Sequence, residues 1–334
     1  MMERIKWYRI EADKQAMKTL QERSDAKGLL QAGSQLLAVV ATGGLCFWAF
    51  HHLAWPWIVV AFFLHGTLFA FLSPAAACHE LSHGTPFKTK ALNEFFYHLF
   101  SFLTWNNPVW FRISHTEHHQ NTLHDAVDQE VVLPARFGAM EWIKAFTFNV
   151  PGAPRGLWVH NILPWYIKHS LGIMTSEWDR RLFDDRPKKK QELVVWARII
   201  LFGHLALAAL FIALGQWILI PILLLPFYGC WLSLVVGIPQ HAGLQDNVPD
   251  FRRSCRTVKQ DGFTRWCYWN MNYHIEHHMY AAIPFHNLPK LHEMLKHDMP
   301  VPCKNLAAAW KEINATLKRQ KTDPEFYFDS FTRS

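Results

Sequence analysis

Histidine is the residue type in this chain with the most chemical potential, because 20 of the 334 residues are histidine. Average domains are dominated by Leu, Ala, Gly, Ser, Val, Glu and Lys. Nine of the histidines fall into four short groups. The groups are the HxxxH pair His79 and His83, the HxxHH triplet His115, His118 and His119, the single His241, and a second HxxHH triplet, His274, His277 and His278. Such a set is typical of metal ligands.

The spacing within the groups predicts that each group shares one face of a helix. Residues at i, i+3 and i+4 on a helix lie about 5–6 Å apart between Cβ atoms. Nine buried imidazoles would need nine sets of polar partners, whereas metal ions satisfy them together. Imidazole binds Zn, Cu, Fe and Ni, and one structural zinc takes four ligands. Nine nitrogen ligands therefore suit two ions with a position left open, and neutral all-nitrogen coordination favours redox-active iron over hydrolysis.

Two long apolar stretches must position these groups. Residues 35–77 contain no Asp, Glu, Lys or Arg and are long enough for two membrane spans of about 20 residues each. Residues 194–238 form a second such hairpin, with Arg198 as its only charged residue. Residues 95–105 are apolar but too short to cross, which favours a re-entrant, interfacial or buried helix. We therefore predict an all-α integral membrane protein with two helical hairpins and four spans.

The basic residues predict the topology. Of the 34 Lys and Arg, all except Arg198 lie in 1–33, 77–193 or 239–334, and neither hairpin turn carries one. Positive residues mark cytoplasmic loops, so we expect the N-terminus, the C-terminus and the metal site to be cytoplasmic. Residues 78–193 and 239–334 are expected to form a helical cytoplasmic cap, preceded by an interfacial segment at 1–33.

The histidine groups, set against two membrane hairpins, resemble the histidine boxes of the membrane-bound fatty acid desaturase and hydroxylase superfamily. The last box is the most similar: Asn272 and Tyr273 lead into the second HxxHH triplet, and the chain continues to Pro284 and to Asn-Leu-Pro-Lys-Leu-His at 287–292. The resemblance covers about 35–297 and treats 1–334 as a single unit. It implies a di-iron centre held by the eight histidines of the three boxes, with His241 in the place of an additional ligand.

The resemblance also implies an oxidoreductase that uses O2 and two iron ions (Fe2+/Fe3+) to remove hydrogen from unactivated C–H bonds. The expected function is a fatty acyl desaturase that forms a C=C bond. The alternative is a hydroxylase or monooxygenase of the same superfamily acting on a lipid, a hydrocarbon or a small polar substrate. The chain contains no His-Pro-Gly-Gly haem segment. Electrons are therefore expected from a separate ferredoxin-, rubredoxin- or cytochrome b5-like protein with its reductase.

Two further sets of residues are candidates for supporting roles. Carboxylates and one amide near the boxes are expected to hold the outer imidazole nitrogens: Glu80, Glu117, Asp125, Asp128, Asn272 and Glu276. Aromatic residues and one intramembrane histidine are expected to line a tunnel for an acyl chain: His65, Trp105, Trp110, Phe111, Trp266 and Trp269. An ionisable group within a membrane span is by default a functional hypothesis, which is the reason for including His65.

Other classes of function remain open at this point. The sequence at 79–83 is HExxH, the signature of zinc metalloproteases. A membrane protease would also need an Asp ligand in a later apolar span, and 194–238 contains none. A metal transporter would spread ionisable groups along the membrane path, whereas the histidine groups cluster on one side. The net charge of +7 is compatible with nucleic acid, but the chain has no GxxxxGK(S/T) or GxGxxG motif, and we expect no nucleic-acid partner.

Overall fold

The regular secondary structure of the described residues is helical. The structure is a computed structural model, and it describes residues 5–125, 127–131, 162–225 and 228–333. Within those residues no strand occurs, and β-pairing is limited to the isolated bridges Thr257–Tyr273 and Val258–Cys303. The predicted all-α class is therefore confirmed for the described residues. Part of the predicted cap, at 132–161, lies outside them.

The α-helices of the described residues are numbered in chain order: α1 (Lys14–Leu20), α2 (Asp25–His52), α3 (Trp55–Phe69), α4 (Ala77–Ser82), α5 (Lys90–Leu103), α6 (Pro108–Asn121), α7 (Leu163–Ser170), α8 (Glu177–Phe183), α9 (Pro187–Ala213), α10 (Trp231–Gly237), α11 (Phe251–Ser254), α12 (Gly262–Cys267), α13 (His274–Met279), α14 (Leu288–Leu295) and α15 (Leu306–Arg319).

Helices α2 and α3 pack together as the first predicted hairpin. The Ser24 side chain accepts a hydrogen bond from the Lys27 N–H and caps α2, which begins earlier than the predicted span at 35. Leu53 is extended and ends α2. Pro56 lies in the first turn of α3, where a missing N–H costs no helical hydrogen bond. The turn of this hairpin therefore lies at Leu53 and Ala54.

The second span is interrupted just before the first histidine pair. Helix α3 passes into a 3-10 turn at Ala70–Leu72, the chain turns at Ser73, and α4 begins at Ala77. Pro74 lies in this turn and cannot donate the hydrogen bond that a continuing helix requires. All six residues of α4 are buried. The restarted helix thus carries its histidine into the protein interior.

The second predicted hairpin has one continuous limb and one broken limb. Helix α9 is continuous, but the return limb consists of a π-turn at Ile220–Leu224, α10 and a 3-10 turn at Ile238–Gln240. Pro221 and Gly229, whose φ is +85°, lie in this limb. Among the described residues, three helical segments are long and apolar enough to cross a membrane: Asp25–His52, Trp55–Ser82 and Pro187–Ala213. The fourth span stays a prediction.

The short apolar patch lies on α5, a helix of 14 residues. This length falls short of the roughly 20 residues of a span. Its buried face, with Phe96, Tyr97 and Phe100, belongs to the hydrophobic core that also holds Leu81 of α4 and Trp269. The core therefore surrounds the helix that carries the first histidine pair.

The N-terminal segment, predicted to be interfacial over 1–33, is not one continuous helix in its described part. Residues 5–13 are not helical, α1 has only seven residues, and α2 has begun by Asp25. Trp7 stacks on Phe251 with 4.0 Å between ring centroids, and its Nε1–H donates to the carbonyl of Gln120 at the end of α6. These contacts place the segment against the histidine-bearing part of the protein.

Candidate metal centre

Four elements bring the nine predicted histidines into one cluster. Helix α4 carries His79 and is capped at its C-terminal end by His83. Helix α6 carries the first triplet and α13 the second, while His241 follows the 3-10 turn after α10. Seven of the nine are at most 6% exposed: His79, His115, His118, His241, His274, His277 and His278. His83 and His119 are partly buried. The i, i+3, i+4 spacing on each helix therefore does turn the imidazoles to one interior point.

A five-histidine group consists of His79, His83, His115, His119 and His277, whose candidate ligand atoms all lie within 4.8 Å of one another. The Nε2 atom of His79 lies 2.9 Å from Nε2 of both His115 and His277. The Nε2 atom of His115 also lies 3.0 Å from Nε2 of His119. A neutral imidazole has one N–H and one lone pair, so a chain of nitrogens this close is a natural cation site.

A four-histidine group adjoins it. His118, His241 and His278 offer ligand atoms within 4.8 Å of one another. The Nε2 atom of His274 lies 3.0 Å from Nε2 of both His241 and His278. The rings of His119 and His278 stack at 4.1 Å between centroids, so the two groups are in direct contact.

The outer nitrogens of two histidines on α6 are held by carboxylates. His115 donates its Nδ1–H to Oε1 of Glu130, and His118 donates its Nδ1–H to Oδ2 of Asp128, each at 2.7 Å. A hydrogen bond at Nδ1 fixes the tautomer whose Nε2 lone pair is free to bind a metal. Both Nε2 atoms belong to the cluster.

Two more histidines are oriented by uncharged acceptors. His241 lies 2.9 Å through Nδ1 from the carbonyl of Ser254, and His278 lies 3.1 Å through Nδ1 from Oγ1 of Thr122. The Thr122 hydroxyl donates its own hydrogen to the His118 carbonyl, and is thus left to accept from His278. The same tautomer, with Nε2 turned inward, is therefore favoured in both groups.

For the groups of the cluster that lie outside the membrane-spanning helices, burial and hydrogen bonds decide which side chains carry a charge. Burial lowers the pKa of His241 to about 3, with the neighbouring His118 acting in the same direction. Burial opposes charge on His118 as well, but its hydrogen bond to Asp128 and the charge of that carboxylate raise its pKa overall. Burial would raise the pKa of Glu130, yet the charge of His115 and the hydrogen bond from it lower that pKa. The pKa values of Asp128 and Glu130 are both lowered, which favours their ionised forms, while burial favours the neutral form of His241.

Four of the six residues predicted to support the ligands lie beside the cluster or on its helices. Asp128 binds His118 as described. Buried Glu80 has Oε1 3.3 Å from Nδ1 of His277. Glu276 on α13 accepts a 2.6 Å hydrogen bond from the Thr257 hydroxyl. Asn272 donates its Nδ2–H to the Val258 carbonyl and so supports the approach to α13.

The other two predicted residues, Glu117 and Asp125, face away from the imidazoles. Glu117 pairs with Arg186 at 2.8 Å, and Asp125 accepts from the amide of exposed Asn247 at 2.9 Å. At 100° per residue, position 117 points about 100° away from position 118 and 200° from position 115. A helical side chain so oriented cannot hold the outer nitrogen of either histidine.

Two residues that sequence reasoning missed have clear roles in the structure. Glu130 holds His115 and also accepts a 2.5 Å hydrogen bond from the Ser114 hydroxyl. His292 on α14 pairs through Nδ1 with the buried Glu276 carboxylate. The available signal for Glu130 was its place in the acidic stretch at 125–130, and for His292 its place in the motif at 287–292.

The predicted tunnel residues are dispersed. Phe111 stacks on His115 with 5.0 Å between centroids and lies against the cluster. His65 is fully buried between Thr42 and the Ile222 carbonyl, each 2.9 Å from a ring nitrogen. The four tryptophans donate their Nε1–H to structural partners: Trp105 to the Leu224 carbonyl, Trp110 to Asp179, Trp266 to Ser34 and Trp269 to Gln35. The path of a substrate through these residues stays a prediction.

The fold and the site define a helical membrane protein with a buried polyhistidine cluster able to hold metal. The fatty acid desaturase family matches residues 53–310, which include every histidine of the cluster. The chain belongs to that family, and it is a membrane oxidoreductase of lipid metabolism.

Curated relatives are similar over most of their length. The chain is 24% identical to the sn-1 oleoyl-lipid 12-desaturase of Anabaena variabilis, over 82% of this chain and 79% of the relative. It is 26% identical to the human sphingolipid delta(4)-desaturase/C4-monooxygenase, over 76% of this chain and 71% of the relative. It is also 26% identical to the sn-1 acyl-lipid omega-3 desaturase (ferredoxin) of Synechocystis sp., over 73% of this chain and 68% of the relative.

Proposed function

We propose that this protein is an O2-dependent fatty acyl desaturase whose metal centre is two iron ions held by the nine clustered histidines. The observation that carries the proposal is the convergence of nine imidazoles, seven of them buried, on two adjoining points in a chain of the fatty acid desaturase family. In this assignment the five-histidine group binds one ion and the four-histidine group binds the other.

The geometry of the nitrogens supports a metal of high coordination number. For a metal–nitrogen distance of about 2.1 Å, ligands at 90° lie about 3.0 Å apart, and ligands at the tetrahedral angle lie about 3.4 Å apart. Five pairs of neighbouring Nε2 atoms in the two groups lie 2.9–3.0 Å apart. These distances suit the right angles of octahedral or square-pyramidal iron better than tetrahedral zinc, and four or five nitrogen ligands leave open positions for O2.

When bound, the two ions would supply the redox chemistry by which O2, two electrons and two protons convert a –CH2–CH2– unit into a double bond and two waters. The chain itself orients and encloses the site. Glu130 and Asp128 hold His115 and His118 in the metal-binding tautomer. Phe111 covers one face of His115 and keeps water from it. Helix α4 is buried on all sides, so its ligand cannot swing away from the centre.

The substrate class follows from the relatives and the apolar helices. Two of the relatives are named for acyl-lipid desaturation, and we propose that an acyl chain reaches the centre from the membrane between the long helices. We also propose that the termini and the centre are cytoplasmic and that the return limb after α9 completes a fourth span. One relative is named with ferredoxin, which supports a separate electron-transfer protein as partner.

Hydroxylation is the second candidate, because the human relative is named both as a desaturase and as a C4-monooxygenase. The same residues would serve both outcomes. The zinc protease has less support. Its general base would be Glu80 of the HExxH sequence, but this carboxylate lies behind His277, 3.3 Å from Nδ1. That position suits orientation of a ligand.

The first experiment is elemental analysis of the protein purified in detergent. We expect about two irons per chain after anaerobic ferrous reconstitution and a lower iron content in His118→Ala. His297→Ala is the matched control, because His297 is exposed and lies outside the cluster. An O2-dependent product screen over acyl lipids then separates the unsaturated product from the alcohol. About one zinc per chain, with no iron taken up on reconstitution, would overturn the proposal.

A further inference from the structure

His241 differs from the other eight histidines of the cluster because it lies in a turn. Seven of the others lie within α-helices, and His83 caps α4. His241 follows the 3-10 turn Ile238–Gln240, with φ −129° and ψ −23°. The residues around a functional side chain must hold it within about 0.5 Å of its productive position. The turn that carries His241 therefore needs support from another part of the chain.

The side chain of Arg256 is fully buried and binds this turn on both sides of the histidine. Its Nη1 group donates to the carbonyls of Pro239 and Ala242, the latter at 3.0 Å. Its backbone N–H donates to the carbonyl of Gln240 at 2.8 Å. The carbonyls before and after His241 are thus held by one residue, and movement of that residue would move the imidazole.

Glu312 on α15 holds the guanidinium group of Arg256 from the other side. Nε of Arg256 donates to Oε1 of Glu312 at 2.8 Å, and Nη2 lies 2.6 Å from the same oxygen. A buried guanidinium is costly unless it is paired and hydrogen-bonded. Because the N–H groups of arginine form a rigid planar fork, a carboxylate that fixes one edge of the fork also orients the edge that binds the turn.

The segment after α15, residues 320–333, contacts both the carboxylate and the turn; we call it the tail. Arg333 donates from Nε and Nη2 to the two carboxylate oxygens of Glu312, at 2.8 and 3.0 Å, and both side chains are 9% exposed. Phe328 donates its backbone N–H to the carbonyl of Gly243 at 2.8 Å. The tail therefore fixes the carboxylate that orients the arginine and also binds the turn directly, two residues after the histidine.

We propose that Arg256 is the positioning residue of His241, and that the four-histidine group binds its metal tightly only while the tail holds Glu312. The inference rests on the proposed function, in which this group binds one of two ions. The five-histidine group has no member in the turn and binds its ion independently of the tail. The family match ends at residue 310, so the tail and its carboxylate partner lie outside the matched residues.

The test measures the affinities of the two ions on the full-length protein in detergent. Metal-free protein is titrated anaerobically with Fe2+ against a competing chelator. His241→Ala identifies the ion of the four-histidine group, because it removes one of that group's ligands. Arg256→Ala should weaken the binding of the same ion about 10–100-fold and that of the other ion less than about 2-fold. Retention of the other ion shows that the variant is folded.

A double-mutant cycle separates positioning from general destabilisation. Once His241 has been replaced, the turn carries no ligand, and Arg256→Ala should weaken the ion less than about 2-fold further. A residue with a structural role alone would weaken it by the same factor with or without the histidine, and that result overturns the inference. Arg252→Ala is the matched control, because Arg252 lies in the same loop, is 12% exposed and pairs with Asp250 and Asp298. It should leave both affinities within about 2-fold, and an equal loss there also overturns the inference.

Arg333→Ala keeps the test decisive if Arg256→Ala fails to fold. It leaves Arg256 paired with Glu312 and should weaken the same ion at least about 3-fold, since it acts one step further from the ligand. Arg319→Ala is its control, because Arg319 pairs with Asp323 in a bridge whose side chains are 59% and 48% exposed; both affinities should stay within about 2-fold. The inference is overturned if Arg333→Ala binds both ions like the unmodified protein, or if Arg319→Ala loses as much affinity.

Failure of the proposed function would look different. Zinc also binds imidazole, so the same affinities can be measured with Zn2+ on a protein that takes up no iron or forms no oxidised product. Selective weakening of one Zn2+ in such a protein would support the positioning role and overturn the proposed function. Product formation by the unmodified protein, with no selective loss of an ion in Arg256→Ala or Arg333→Ala, would overturn the inference alone. If neither metal binds, both proposals fail.

Discussion

Replacing Glu130 tests whether the hydrogen bond to His115 supports metal binding. This buried bond is 2.7 Å long, and the side chains of His115 and Glu130 are only 3% and 18% exposed. Loss of such a partner of a ligand histidine usually lowers metal affinity about 10–100-fold, or about 1.4–2.7 kcal/mol at 1.36 kcal/mol per tenfold. The independent figure for a hydrogen bond to a charged group, about 1.5–3 kcal/mol, agrees.

We expect Glu130→Gln to bind iron about 10-fold more weakly, because the amide oxygen keeps the shape of the acceptor and loses only its charge. Glu130→Ala removes the acceptor altogether and should lose about 100-fold. The assay is anaerobic ferrous titration of chelator-stripped protein against a competing chelator, with bound iron measured by elemental analysis.

Glu117→Gln is the control, since Glu117 lies on the same helix as the ligands but pairs outward with the half-exposed Arg186. A surface ion pair contributes about 0–1 kcal/mol, and none of that acts on an imidazole, so iron affinity should change less than about 2-fold. Our reasoning is refuted if Glu130→Gln binds iron as tightly as the unmodified protein, or if Glu117→Gln loses as much affinity as Glu130→Gln.

Three further predictions concern packing, a buried ion pair and pH. Gly66→Ala should lower the free energy of unfolding by about 1–3 kcal/mol or more, and with it the thermal midpoint, because the new Cβ would overlap the Tyr228 carbonyl. Gly33→Ala, with open space around it, is the control. Arg256→Ala should cost about 3 kcal/mol in denaturant unfolding, the lower end for a broken buried pair, because Glu312 keeps a second partner in Arg333. The metal-free protein should lose thermal stability as the pH falls from 6.5, the pKa of His241 in the unfolded chain, to about 3, its pKa in the folded protein. In this range the unfolded state binds more protons than the folded state. A thermal midpoint that rises on acidification would contradict this.

Helix geometry predicts from the sequence which histidines of one group share a face, whereas their assignment as metal ligands came from the family resemblance. Within each triplet the i, i+3, i+4 spacing fixes the shared face, and all three members do enter the cluster, as His115, His118 and His119 show. Helix geometry does not predict that the separate histidine groups come together in the fold. His79 and His277 are 198 positions apart, yet their Nε2 atoms lie 2.9 Å apart. Their proximity was an expectation from the resemblance and from the common side of the two hairpins.

Residues that support the ligands were harder to predict because they depend on loops. Sequence proximity favoured Glu117, which lies between two ligands, but helical rotation turns it outward to Arg186. Glu130 lies 15 positions after His115 and reaches it only because the chain folds back along α6 after a turn at 122–125. No periodic pattern in the sequence predicts that the chain folds back along α6 at this point. The same limit applies to His292, whose partner Glu276 lies on another helix.

In the proposed assignment, metal binding would be coupled to folding. Two ligands are anchored by apolar segments, His79 on the restarted second span and His241 after the broken return limb, whereas the others come from the polar segments between and after the hairpins. Burial lowers the pKa of His274 and His278 well below the ordinary value, which disfavours protons as the cations that hold these imidazoles together. A bound metal would tie α4, α6 and α13 together, and the free energy of its binding would then add to that of folding. The Trp7–Phe251 stack links the N-terminal segment to the histidine cluster, because the Phe251 ring lies 5.4 Å from the ring of His278. Order in the N-terminal segment should therefore depend on an occupied centre.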